Sequence, residues 1–207
     1  MNLKHHYWYF TSVLSHRFCD QIIEQGKKNK DEFARIGFLK DKNLSKDQIK
    51  EIKKKRNSNV TWMNDQWIYR EILPYVHAAN KNAGWNFNFD FSESCQFTKY
   101  SRGQYYGWHC DSWVEPYKDE NINLNNKIRK LSVTCSLSDS SEYTGGELEF
   151  NFNDPEKTKK QNIKKCVEIL PKGSICVFPS FVWHRVCPVK TGTRYSLVIW
   201  NIGESFK

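Results

Sequence analysis

A chain of 207 residues, 39% apolar and 15% aromatic, holds enough material for one sizeable hydrophobic core, which excludes global disorder and any need for disulfide staples. The net charge of +9 admits an acidic or nucleic-acid partner, but much of the excess lies in two runs, Lys50–Arg56 and Lys157–Lys165. Neither run is interleaved with aromatics, so both read as solvated faces and the sequence argues against a nucleic-acid groove.

Seven cysteines, odd in number and without a CxxC pair, argue for free thiols in a reducing compartment and against a zinc ribbon or a secreted disulfide scaffold. The segment Met1–Phe10 lacks the apolar stretch of a signal peptide. No run approaches the ~20 apolar residues of a membrane span, so the expectation is a soluble, cytoplasmic protein with no membrane partner.

Ser15 can cap a first helix whose Phe18, Ile22 and Ile23 share a face, with Gly26 and the lysines after it as the stop. Asp41–Asn59 is polar and lysine-rich and reads as a mobile segment with at most a short helix around Ile49 and Ile52. A second helix runs from about Asn64 to Gly84, on Trp67, Ile68, Ile72, Val76 and Ala79 at helical spacing; Pro74 predicts a kink or two shorter helices.

From about Asn86 the pattern becomes alternating. Leu131, Val133, Cys135 and Leu137 alternate with polar residues, as do Leu148, Phe150 and Phe152; further strand-like runs are Val167–Leu170, Ser174–Phe178 and Arg194–Trp200. Gly145-Gly146 reads as a turn between strands. The chain is thus expected to be one mainly β domain over 1–207, with helical support over 1–85 and a β-sandwich or jelly-roll core over 86–207 that carries the helices on one sheet.

His109 and Asp111 are two apart, so on an extended segment their side chains share a side, while Cys110 between them turns away and reads as packing. His184 lies in the apolar stretch Phe178–Val186 and offers a third donor, which would complete a two-histidine, one-carboxylate set of the kind that suits Fe(II). His-x-Asp occurs often by chance, and a buried histidine bonded to a carbonyl is the competing reading of His184. Arg194 opens a strand on which Arg194, Ser196, Val198 and Trp200 face one way, so a guanidinium and a hydroxyl together form a carboxylate clamp. The competing reading is an arginine snorkelling at a strand end.

In order and spacing, three stretches resemble the prolyl-4-hydroxylase-like branch of the 2-oxoglutarate oxygenases, including the bacterial and phage PKHD-type hydroxylases. They are Tyr100–Asp111, Arg129–Val133 leading to Gly145-Gly146-Glu147-Leu148, and Pro171–Ser174 through His184 to Trp200, within roughly residues 60–203. The resemblance implies a double-stranded β-helix, a cupin-like jelly roll. It implies Fe(II) on His109, Asp111 and His184, and 2-oxoglutarate anchored by Arg194 with hydrogen bonds from Tyr100 and Ser196. Tyr106, Arg129 and Trp200 would line a peptide site.

The activity implied is dioxygen-dependent hydroxylation of a C–H bond, with ascorbate as reductant and release of succinate and carbon dioxide. The substrate implied is a prolyl residue in a peptide or protein, and the compartment a host cytoplasm if the gene is carried by a phage. Animal collagen enzymes carry lysine where this chain has Arg194, and the retained Asp111 argues against the related halogenases. Three alternatives stand beside this reading. One is a hydroxylase of another amino-acid side chain or a small molecule. Another is a nucleic-acid demethylase, disfavoured because Trp200 stands where those enzymes carry a second arginine. The last is a non-catalytic jelly-roll binding module, disfavoured by the complete set of His109, Asp111, His184 and Arg194.

Overall fold

The computed structural model describes residues 3–28, 32–34, 45–112 and 115–206. Its first part holds β1 (Trp8–Phe10), α1 (His16–Lys28), β2 (Glu32–Phe33), α2 (Lys46–Lys55), β3 (Arg56–Asn57), β4 (Asn59–Met63) and α3 (Gln66–Asn82). Strands then follow one another: β5 (Phe91–Ser92), β6 (Cys95–Tyr100), β7 (Tyr105–His109), β8 (Lys127–Ser136), β9 (Tyr143–Gly145) and β10 (Leu148–Asn151). The last are β11 (Ile163–Lys165), β12 (Ile175–Pro179), β13 (Trp183–Val186), β14 (Val189–Gly192) and β15 (Arg194–Glu204).

Two antiparallel sheets face each other. The larger runs β1-β12-β8-β15-β6-β4-β2, with β5 also paired to β15, and the smaller runs β11-β10-β13-β7-β3. This is the expected jelly roll. The alternation along β8 and β15 divides their side chains as anticipated. Leu131, Val133, Cys135, Leu197 and Ile199 join the main core, where the apolar faces of α1 and α3 cover them. Ser132, Thr134, Arg194, Ser196 and Trp200 are buried as well, and most of these point into the space between the sheets.

Ser15 does cap α1, its Oγ accepting the Phe18 N–H at 3.1 Å. Gly26 does not stop that helix, which runs on to Lys28; the glycine lies inside it, pressed against the ring of Phe97. The second helix is one continuous element, neither halved nor ended by Pro74. The proline ring frees the carbonyl of Arg70, which sits on the exposed face where water can bond it. Ile68, Ile72, Val76 and Ala79, all buried, hold the other face to the sheet.

Two further expectations need correction. Val167–Ile169 is a single 3-10 turn and not a strand. In Asp41–Asn59 the short helix expected around Ile49 and Ile52 is present, but strands not anticipated from the sequence follow it. The ten-residue α2 and two strands occupy most of the segment, while positions 41–44 lie outside the described residues. A reciprocal Ser45/Gln48 capping box starts α2, burial of Ile52 anchors it, and the Tyr105 hydroxyl bonds the carbonyls of Lys53 and Lys54 at 3.0 Å each. Among the described residues, no helix is long and apolar enough to cross a membrane.

Alanine is preferred to glycine inside a helix by ~1 kcal/mol. At position 26, however, a Cβ would overlap the Phe97 ring, which is 3% exposed and stacked on Tyr195. Gly26→Ala is therefore expected to lower stability, by about 1–3 kcal/mol, as overpacking does. Urea unfolding checks this: a midpoint that stays or rises would show that the ring makes way.

Candidate metal centre and its cavity

The smaller sheet pairs β7 with β13 antiparallel, and the register places His109 directly opposite His184. Each imidazole is oriented by a carbonyl two residues earlier in the chain. His109 Nδ1 lies 2.8 Å from Gly107 O, and His184 Nδ1 lies 2.9 Å from Val182 O. A neutral ring that donates from Nδ1 leaves the Nε2 lone pair free, the form in which histidine binds metals.

Asp111 follows β7 at a bend held by the Ser180 carbonyl, which accepts its N–H at 2.8 Å. Its Oδ2 accepts the Ser132 hydroxyl at 2.7 Å, and Ser132 in turn meets the Ser180 hydroxyl at 2.9 Å. Asp111 Oδ1 is 3.6 Å from His109 Nε2, and Oδ2 is 3.5 Å from His184 Nε2. All three donors lie within 4.8 Å of one another. These separations are longer than hydrogen bonds and leave room for one ion at the ~2.0–2.2 Å typical of such ligands.

Protonation agrees with that use. Burial holds His109 well below its ordinary value, with the neighbouring His184 adding to the effect. Burial opposes the charge on Asp111, but the two imidazoles, Arg129 and the Ser132 hydroxyl outweigh it and hold the carboxyl at about 2. A neutral imidazole beside a charged carboxylate is the state a divalent cation requires.

The wall around this centre is aromatic. Tyr106 stacks on His109 with centroids 3.5 Å apart, and Phe178 meets His184 edge-on at 4.7 Å. Burial raises the Tyr106 phenol to about 12, so it stays protonated. The cavity between the sheets also reaches Tyr100, Arg194, Ser196 and Trp200. Arg194 is 3% exposed, and its Nη1 donates to Ser196 Oγ at 3.2 Å. Tyr100, its cross-strand partner, carries the guanidinium 5.5 Å from its ring. Gly146 makes this approach practicable, since a Cβ there would stand 3.0 Å from Arg194 Cδ. Among the described residues no carboxylate pairs with Arg194. A buried cation of this kind fits the carboxylate end of a bound acid.

The structure thus gathers His109, Asp111, His184, Arg194, Tyr100, Ser196, Tyr106 and Trp200 around one cavity. It does not bring Arg129 to that wall. The Arg129 fork is committed to Glu93, with Nε and Nη2 each 2.7 Å from a carboxylate oxygen, and its flat face lies 3.8 Å from the Trp200 ring. Cys110 turns away to the Phe181 carbonyl, as alternation predicts. Sequence reasoning missed Arg56 in the cavity wall and the serines behind Asp111. Arg56 closes a lysine run and looked like part of it, while serines on alternating strands carry no distinguishing pattern.

A jelly roll whose inner face joins two histidines, an aspartate and an unpaired arginine defines the class: iron oxygenases that use an acidic co-substrate. The model of the 2OG-Fe(II) oxygenase superfamily matches residues 95–201, and the chain belongs to that superfamily. It is similar to a PKHD-type hydroxylase of Synechococcus sp. (strain CC9605), 38% identical over 100 residues, 48% of this chain and 37% of that protein. Against a PKHD-type hydroxylase of Janthinobacterium sp. (strain Marseille) the identity is 34% over 104 residues, 50% of this chain and 41% of that one. The chain thus matches only about two fifths of these relatives' length.

Among solved structures, the fold is shared with the viral collagen prolyl hydroxylase of Paramecium bursaria Chlorella virus-1 in its 2OG complex (TM-score 0.62, 19% identity, 97% of both chains). It is also shared with a Pseudomonas putida prolyl-4-hydroxylase (0.59, 18%, 96% of this chain and 92% of that one). A third is a Trichoplax adhaerens prolyl hydroxylase in complex with a hypoxia inducible factor peptide fragment (0.60, 16%, 96% and 84%).

Removing the Ser132 hydroxyl frees Asp111 to rotate without touching a ligand atom. Ser132→Ala is expected to weaken Co(II) or Mn(II) binding about 10- to 100-fold, the usual cost of losing such support, with Ser132→Thr restoring most of it. His184→Ala is expected to abolish stoichiometric binding. Metal titration followed by calorimetry decides, and wild-type affinity in Ser132→Ala would show that the hydroxyl does not position the carboxylate.

Proposed function

We propose that the protein is an Fe(II)- and 2-oxoglutarate-dependent oxygenase that hydroxylates a C–H bond of a prolyl residue in a peptide or protein. The observation that carries this is the meeting, in one cavity, of a facial two-histidine, one-carboxylate set with a buried arginine that has no carboxylate partner. His109, Asp111 and His184 would hold the iron. Arg194 would hold the distal carboxylate of 2-oxoglutarate, with Ser196 and Tyr100 beside it. When bound, iron with 2-oxoglutarate and dioxygen supplies the oxidising power for hydroxylation, and succinate and carbon dioxide are the by-products.

The remaining work falls to the chain's own residues. The Gly107 and Val182 carbonyls and Ser132 keep three donors aimed at one point, so that no reorganisation is needed when the ion arrives. Arg194 sets the depth at which the co-substrate sits. Trp200 and the edge of Tyr106, whose faces are taken by His109 and Arg56, line the same cavity and would keep water from the reacting carbon. Arg129 supports this indirectly: held by Glu93, it backs the Trp200 indole and thereby fixes one wall.

A peptide substrate is supported by the relatives, one of which was solved with a peptide fragment. The compartment consistent with this reading is the cytoplasm, where the seven free thiols stay reduced.

Purified protein supplied with Fe(II), ascorbate and 2-oxoglutarate in air is expected to release succinate, faster in the presence of proline-rich peptides that gain one oxygen. His184→Ala should be inactive. Arg194→Ala should raise the 2-oxoglutarate KM about 100-fold or more, and Arg194→Lys should do so less because it keeps the charge. No succinate from folded, iron-loaded protein would overturn the assignment.

A further inference from the structure

Arg56 is a second buried guanidinium in the cavity wall, and the scheme above leaves it without a task. It is 5% exposed. Its Nε donates to Ser58 Oγ at 3.0 Å, and its Cζ lies 4.4 Å from the centroid of the Tyr106 ring. Nη2 is buried and meets no acceptor among the described residues. Because Tyr106 stacks on His109, guanidinium, phenol and imidazole form one column that ends at the candidate metal ligands. A ligand group bonded to Arg56 would therefore enter the same cavity as the candidate metal ligands, with the Tyr106 ring between the guanidinium and His109.

The charge around Arg56 is one-sided. The acid of the cavity wall, Asp111, is tied to Ser132 and faces the two imidazoles, and Arg56 has no ion pair with any carboxylate among the described residues. Just before it in the chain stand Lys53, Lys54 and Lys55, exposed on the last turn of α2. A neutral carbonyl would satisfy the Nη2 hydrogen but leave the buried charge uncompensated. A carboxylate does both, and the exposed lysines would draw such a ligand in.

We propose that the residue hydroxylated by this enzyme carries or directly adjoins a carboxylate, and that Arg56 binds it. The proposal rests on the reading in which Arg194 takes the co-substrate, leaving Arg56 free to select the substrate. The shared chemistry is the carboxylate. Its source is either an acidic side chain beside the target residue or the α-carboxylate of a free amino acid.

Calorimetry on protein loaded with Mn(II) and 2-oxoglutarate without oxygen separates these sources. The probes are matched pairs: end-capped peptides with Asp or Asn before Pro, the same pair before Lys, and free proline against prolinamide. At least one carboxylate member is expected to bind about tenfold or more tighter than its neutral partner, the size of one charge-assisted hydrogen bond. That preference should vanish in Arg56→Gln and partly return in Arg56→Lys, with thermal midpoints confirming that both variants fold.

A preference in the peptide pairs assigns an acidic flank, and one in the proline pair assigns a free amino acid; either supports the proposal. Equal or undetectable binding across every pair, in wild-type protein that titrates normally with 2-oxoglutarate, overturns it while leaving the oxygenase reading intact. A preference that survives in Arg56→Gln overturns the role of Arg56. Failure of 2-oxoglutarate itself to bind would instead overturn the reading on which the proposal rests.

Discussion

The antiparallel register of β7 and β13 is the constraint on which the rest of the site depends, because it sets His109 opposite His184. A slip of one residue would turn either imidazole to the other face of the sheet and dismantle the donor set. The neighbours of these strands enforce the register. Phe150 of β10 pairs with His184 from the far side, and Arg56 of β3 pairs with Tyr106 on the other. Phe150 itself is completely buried, so that edge of the sheet cannot slide without exposing a large apolar side chain. The same packing that stabilises the smaller sheet therefore aims the histidines.

The second organising feature is cationic. Arg56 and Arg194 are both almost fully buried, and neither has a carboxylate partner among the described residues. A fold selected only for stability would pair or replace such groups, since a lone buried charge costs several kcal/mol. Arg129 shows what pairing looks like in the same protein: both oxygens of Glu93 occupy it, and Tyr117 adds a hydrogen bond to that carboxylate. The contrast separates an arginine whose charge is met by a carboxylate from two whose charge, among the described residues, is not.

Much of this was legible in the chain. Alternation in Leu131–Leu137 and Arg194–Trp200 correctly sorted core residues from cavity residues, because the side-chain period of a strand is local to its backbone. The helix stops and the lysine-rich segment were less legible. Gly26 looked like a terminator because its close partner, Phe97, lies far along the chain, and the strands after α2 were missed because they pair only with distant strands β6 and β7. Val167–Ile169 was misread as a strand because three residues rich in β-branched side chains suit a tight turn equally well.

By itself the sequence determined the chemistry on offer: two histidines and an aspartate as metal donors, an arginine and a serine projecting together from one strand, and an apolar pattern that must close into two sheets. Only the tertiary structure decided which donors meet, that Glu93 captures Arg129 from 36 positions away, and that Arg56 leaves its lysine run to enter the cavity. The physical reason is that periodicity is a property of neighbouring residues. The pairing of strands and of charges is settled by burial and by competition among distant partners.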